Sequence, residues 1–308
     1  MTENPGGRRG SDDRRHVTPD APVAPNTPIR RGSDELRVRA AIRDELEDDR
    51  SNEADDKAAP TSPSAEKVIA LDNVYLAFDE PILKEVSFGA FEGETIVVAG
   101  ESGTGKSTIL KLLLRLLVPD KGEVFIDDEE ITQLNFSDAL KVRQKMGMVF
   151  QGAALFDSMT VFENIAYPLR EHTTLGEDEI VARVREKLSF VDLDPDRVLE
   201  QLPSDLSGGM RKRVGIARGM ANNPKIMLYD EPTSGLDPLT TATITHLIIK
   251  LQRELGVTSV VVTHDIRSAF RMASKIAVLA EKKICFFGTP EEMAGSDDKY
   301  LRDFLGGF

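Results

Sequence analysis

The sequence is poor in the features that would place it outside a cell or across a membrane. It has one cysteine, Cys285, in 308 residues, which excludes an intramolecular disulfide and a cysteine-built zinc site. The setting Lys283-Ile284-Cys285-Phe286-Phe287 reads as a strand, so a buried structural thiol is expected there. No run approaches the roughly 18 to 20 apolar residues of a membrane-spanning helix, and the start lacks the apolar stretch of a secretory signal. A cytosolic polypeptide is the expectation. Basic excess is lacking too: the formal net charge of −13 repels polyanions. The pairs Arg8-Arg9, Arg14-Arg15 and Arg30-Arg31 are interleaved with Asp12, Asp13 and Asp20, and read as solvated tail charge. Nucleic acid is not an expected partner.

What is present divides the chain in two. Residues 1–65 are rich in Pro, Gly, Ser, Asp, Glu and Arg and poor in large apolar side chains, a composition that does not offset the entropy of ordering. A disordered tail is expected, with one short helical candidate over 35–47. Residues 66–308 change character. Val68-Ile69-Ala70-Leu71, Val74-Tyr75-Leu76, Val86-Ser87-Phe88 and Thr95-Ile96-Val97-Val98-Ala99 are β-type runs broken by Pro81, Gly89 and Gly93. The apolar strands 226–229 and 257–263 each lie beside a helical segment, which is how a parallel sheet covered on both faces reads. Between Gly152 and about Gln201 the pattern is helical, with 177–190 amphipathic, and no repeat is present.

Gly100-Glu101-Ser102-Gly103-Thr104-Gly105-Lys106-Ser107 follows an apolar strand and opens a helix over 108–117. Glycines let the backbone curl so that amides point at phosphate oxygens, and the helix N-terminus adds positive potential. Lys106 is placed for the β/γ-phosphates and Ser107 for magnesium, with Thr108 the first residue of the helix. Asp230-Glu231 closes the strand 226–229, where ligands collect in open parallel sheets. Asp230 is then a magnesium ligand, directly or through water, and Glu231 the general base for an attacking water. Taken alone, the pair reads equally well as an acidic strand end capping a helix.

Leu206-Ser207-Gly208-Gly209-Met210 opens a third feature, a helix running through Arg211-Lys212-Arg213-Val214-Gly215-Ile216-Ala217-Arg218. This resembles the signature of ABC-transporter ATPases. The family's other motifs occur in order: Gln151 in Val149-Phe150-Gln151, Ser234-Gly235-Leu236-Asp237 after Glu231, and His264 in Val262-Thr263-His264-Asp265. The resemblance covers about 68–308. Independently of it, Ser207, Gly208 and Gly209 put unpaired amides at a helix N-terminus, a second phosphate site in the same chain.

The resemblance implies an α/β fold: a P-loop core with a parallel sheet, an antiparallel β-subdomain near 68–96, and a helical subdomain inserted over about 152–213. It implies magnesium-dependent ATP hydrolysis by a head-to-tail homodimer, each ATP lying between the phosphate loop of one protomer and Ser207, Gly208 and Gly209 of the other. Gln151 would touch magnesium and the attacking water, Asp237 would line the dimer contact, and His264 would hold the γ-phosphate. Phe78 falls where the family stacks an aromatic on adenine, though Tyr75 and Phe78 both read also as strand packing. Permease subunits would be separate chains, with the ATPase on the cytoplasmic face of the inner membrane.

One departure narrows the branch. Met210 stands where the commonest signature has Gln, and the segment 152–172 after Gln151 is similar to the Mla-type lipid transporters that work with Mce proteins. That segment lies where the family receives its membrane subunit, and Phe156 and Met159 suit either a docking groove or a subdomain core. An amino-acid-type importer shares every catalytic motif, and a cell-division ABC ATPase that transports nothing is the alternative of another class.

Overall fold

The computed structural model describes residues 67–306. The expected tail and its helical candidate over 35–47 lie outside the described residues. Ten strands and ten α-helices follow among them. These are β1 (Lys67–Ala77), β2 (Pro81–Phe91), β3 (Thr95–Ala99), α1 (Lys106–Leu113), β4 (Lys121–Ile126), β5 (Glu129–Glu130), α2 (Phe136–Gln144), β6 (Met146–Val149), α3 (Val161–His172) and α4 (Glu177–Phe190). Next come α5 (Pro195–Val198), α6 (Gly208–Gly219), β7 (Ile226–Asp230), α7 (Pro238–Leu255), β8 (Thr258–Thr263), α8 (Ile266–Met272), β9 (Lys275–Ala280), β10 (Lys283–Gly288), α9 (Pro290–Ala294) and α10 (Lys299–Gly306).

Six strands form the central sheet in the order β10-β9-β3-β8-β7-β6, all parallel except β10. Its inner strands are deeply buried; β3 and β8 are buried at every position. Alternate residues then serve opposite faces. Val97, Ala99 and Val261 join the core beneath α7, α8 and the helices α3 to α6, while Ile96, Val98, Val260 and Val262 join the core that holds α1. On that second side lies an antiparallel sheet, β2-β1-β4-β5.

The antiparallel sheet corrects the expected boundary in one respect. Thr95–Ala99 belongs to the parallel core, and the place beside β1 is taken by β4, with Ile69 opposite Ile126. β1 is also one strand rather than two runs: Asn73, at φ 50°, forms a bulge, and its N–H donates to Ser87 Oγ at 2.8 Å. Cys285 corrects the expectation of a buried thiol. It lies on the exposed positions of the edge strand β10 with Lys283 and Phe287, its Sγ 3.4 Å from Val278 O. Partial burial still pushes this thiol above the usual cysteine range.

The helices are delimited by local chemistry. A Thr160–Glu163 capping box starts α3. Asp237 accepts from Leu239 and Thr240 N–H at the head of α7, where Pro238 follows, and Gly256 ends that helix at φ 63°. Fully buried Asn164 fastens the segment before α3: its Nδ2 donates to the carbonyls of Phe156, Met159 and Thr160, and its Oδ1 accepts from Phe156 N–H.

Candidate active site

Strand order creates the site. β3, β8, β7 and β6 are consecutive in the sheet and parallel, so their C-terminal ends lie side by side. Those ends deliver the phosphate loop after Ala99, His264 after Thr263, Asp230 and Glu231, and Gln151 just beyond Val149. Residues far apart in the chain thus meet on one sheet edge.

The loop from Gly100 to Ser107 closes around a lysine. Lys106 is only 6% exposed, and its Nζ donates to Gly100 O and Glu101 O, each at 2.8 Å. Gly105 sits at φ 104°, which a side chain would strain, and a Cβ on Gly100 would lie 2.5 Å from Leu279 O. No side chain caps α1, so the amides of Lys106 and Ser107 at its start stay available to an anion. Glu101, Ser102 and Gly103 form the exposed rim of the loop, and Thr104 braces it through Oγ1 to Glu101 O at 2.9 Å. Thr108 continues the helix with its N–H on Gly105 O.

Glu231 is the hub. It holds φ 47°, uncommon for a residue with a side chain, and its N–H bonds Val262 O at 2.9 Å. One carboxylate oxygen lies 3.6 Å from Lys106 Nζ, and the other lies 2.8 Å from His264 Nδ1. Thr263 Oγ1 and His264 N–H also donate to the second oxygen, both at 3.4 Å. An ionised carboxylate only accepts, so Nδ1 carries the imidazole proton and Nε2 is left for another partner.

Ser107 Oγ donates to Asp230 Oδ1 at 2.8 Å, bringing together a hydroxyl and a carboxylate, the hard oxygen donors that magnesium takes. Among the described residues no three Asp, Glu, His or Cys side chains gather into a metal site of their own. The pair therefore fits an ion that phosphate and water also hold, as magnesium does. Gln151 is exposed, its Nε2 3.4 Å from Ser234 Oγ. Phe78 is 65% exposed on the turn after β1, which removes the strand-packing reading for it; Tyr75 is half-buried within β1. Ser207 caps α6 by accepting from Met210 N–H, and Gly208 and Gly209 face Leu236 and Thr240. Asp237 is held below the usual aspartate range by Thr240, which donates from both its hydroxyl and its N–H.

A family model described as ABC transporter matches residues 83–234. The "Intermembrane phospholipid transport system ATP-binding protein MlaF" of Escherichia coli strain K12 is 40% identical over 226 residues, 73% of this chain and 83% of that protein. The chain belongs to the ABC transporter ATP-binding family. The "Probable ribonucleotide transport ATP-binding protein mkl" of Mycobacterium tuberculosis is 41% identical over 226 residues, a stretch spanning 73% of this chain and 62% of that protein. A dimeric post-hydrolysis ATP-binding cassette, MJ0796, bound to ADP and Pi is 36% identical with a TM-score of 0.66, covering 72% of this chain and 98% of its own. The cassette also superposes on cbiO1 from Clostridium perfringens, part of the ABC transporter complex cbiONQ, with a TM-score of 0.68 and 28% identity over 74% of this chain and 90% of that one.

Sequence reading passed over one residue of the cassette's site. Lys212, two residues past Met210, is buried, and its Nζ donates to Gln151 O and to Glu231 O. Burial pushes this ammonium below the usual lysine range, against the pull of Glu231 and Asp230. The one available signal was its place three residues before Gly215 on the buried side of α6.

Proposed function

We propose that this cassette is the magnesium-dependent, ATP-hydrolysing motor of a membrane lipid transporter. The observation that carries the catalytic part is the position of Glu231, whose two oxygens face Lys106 and His264 at the edge of the phosphate loop. Glu231 takes the proton of the attacking water, while the adjacent Asp230, paired with Ser107, is left to the metal. Lys106 meets the negative charge of the phosphates, and His264, held through Nδ1, turns Nε2 to the transferring group. Ser107, Asp230 and Gln151 would hold magnesium, which when bound would neutralise phosphate charge. Phe78 stacks on the base from its exposed turn.

The amides at the head of α6 serve the second protomer's ATP, so the working unit is a head-to-tail homodimer. No helix among the described residues is long and apolar enough to cross a membrane. The pathway for cargo therefore belongs to permease chains, and the cassette sits against their cytoplasmic face at the inner membrane. The receiving surface is a groove of about 530 Å³ lined by Leu140, Phe150, Phe156, Tyr167, Pro168 and Arg218 among others. Phe156 and Tyr167 meet edge to face there, with the Arg218 guanidinium over the Phe156 ring. Met159 is not among the lining residues; its carbonyl serves Asn164.

For cargo, Met210, the segment 152–172 and the name of the Escherichia coli relative favour phospholipid movement with Mce-type partners. The mycobacterial relative's name points to ribonucleotides instead. Purification of the complex from solubilised membranes, followed by ATP-dependent transfer of labelled phospholipid between vesicles, separates the two. Transfer that stops on magnesium chelation is expected. Co-purification with an amino-acid permease, or turnover in the complete complex with no lipid moved, would sink the lipid reading.

A further inference from the structure

Helix α6 presents three residues on one stripe, Lys212, Gly215 and Arg218, and all three meet the loop that follows Gln151. Lys212 Nζ donates to Gln151 O. Gly215 lies so near Ala153 that an added Cβ would stand 3.2 Å from the alanine Cβ. Arg218 donates to Ala153 O at 3.0 Å and to Ala154 O at 2.8 Å. Ala153 and Ala154 are both left-handed, at φ 62° and 48°, conformations that persist where surroundings enforce them. The loop carrying Gln151 is thus fastened to α6.

Lys212 has a second acceptor on the other side of the site, Glu231 O at 3.2 Å. That carbonyl also accepts from Ser234 N–H at 3.2 Å, and Ser234 Oγ in turn accepts from Gln151 Nε2 at 3.4 Å. Lys212, Gln151, Ser234 and Glu231 therefore close a circuit of hydrogen bonds. Both hydrogen-bond acceptors of the buried ammonium are main-chain carbonyls, so its directed contacts fix backbone geometry, while the Glu231 and Asp230 carboxylates act on it only through space. Glu231, in its strained conformation, has its peptide held from α6.

We infer that Lys212 is a positioning residue, fixing the backbone of Glu231 relative to the Gln151 loop so that the base and that loop form one unit with α6. The inference rests on the assignment of Glu231 as the base. Within one protomer the proposed ATP contacts come from the phosphate loop, α1 and Phe78, and the α6 amides serve the other protomer's ATP, so Lys212 acts on turnover and not on binding at its own site. The stripe ends at Arg218, which lines the groove proposed for the permease.

The test compares the full chain with Lys212→Met, Lys212→Arg, Glu231→Gln and the Lys212→Met/Glu231→Gln double variant. Phosphate release gives kcat and KM, a fluorescent ATP analogue gives Kd, and thermal melting reports folding. A displaced base costs rate steeply, so Lys212→Met should lower kcat roughly 10- to 100-fold. KM and Kd should stay within about threefold, the pattern of a contact that matters only in the transition state. Lys212→Arg, which keeps donors for both carbonyls, should restore most of kcat. The double variant should be no slower than Glu231→Gln alone, because Lys212 works through the base. Parent-like kcat in Lys212→Met, or multiplicative losses in the double variant, overturns the inference. So does an Arg variant as slow as the Met variant. Should Lys212→Met fail to fold, Lys212→Gln, which retains one donor group, faces the same criteria. Parent-level turnover by Glu231→Gln would remove the base assignment itself, whereas a slow Glu231→Gln beside a normal Lys212→Met removes only the positioning role.

Discussion

At the residue scale the site is organised by pairing a buried cation with a carboxylate at the head of a phosphate loop. Lys106 is held by two loop carbonyls and by the charge of Glu231, so its side chain fixes loop shape and stands where the proposed phosphate charge would lie. Removing it leaves Gly100 O without this donor, Glu101 O with Thr104 Oγ1 alone, and the start of α1 without a neighbouring positive charge. Lys106→Ala should therefore raise the Kd for ATP roughly 10- to 100-fold, the equivalent of one charged hydrogen bond. Titration with a fluorescent nucleotide checks this, and unchanged affinity would contradict it. The residues that sequence spacing exposes best are those whose chemistry is local: the phosphate loop, Asp230-Glu231 and the signature each combine a composition with an adjoining strand or helix. Lys212 was not legible in the same way. Its role depends on Gln151 and Glu231, 61 and 19 residues away, and nothing in Arg211-Lys212-Arg213 distinguishes a buried cation from its exposed or half-buried neighbours.

At the element scale, close packing of β6 on α6 brings the Gln151 loop to the edge of the sheet. Gly147 on β6 faces α6 so closely that a Cβ would lie 2.2 Å from Gly219 O and 2.4 Å from Met227 Sδ. Because the first of these is backbone, relief requires the helix to move. Gly147→Ala should cost about 1–3 kcal/mol, the usual range for overpacking a filled core, read as a lowered denaturation midpoint. An unchanged midpoint would show that β6 and α6 separate without penalty. The elements themselves were legible where one period or one cap dominated: Glu177–Phe190 is the helix that its amphipathic pattern predicts. They were illegible where pairing decided. Asp72-Asn73 reads as a strand end, yet bonding on both sides by β2 and β4 carries β1 through it as a bulge. Cys285 sits in an apolar run, but an edge strand has one face to spare and the thiol falls on it.

At the scale of the whole molecule, the parallel sheet gathers the candidate site along its C-terminal edge, and α2, β6, α3 and α6 line a separate apolar groove. Phe156 is 44% exposed in that groove, so a charged replacement is solvated in the free cassette but unpaired once a permease covers it. Phe156→Asp should leave ATP affinity unchanged while reducing recovery of the permease on co-purification, and loss of ATP binding instead would show that the groove and the site are not separable. Glu231 as the base of an ATP-hydrolysing cassette is a narrower proposal than transport. The most direct measurement is phosphate release by Glu231→Gln with saturating magnesium and ATP, alongside retention of bound ATP. The near-isosteric amide keeps the side chain's shape but does not accept the proton, so turnover should fall roughly 10²- to 10⁴-fold with ATP still bound. Phosphate release at the parent rate would contradict the account.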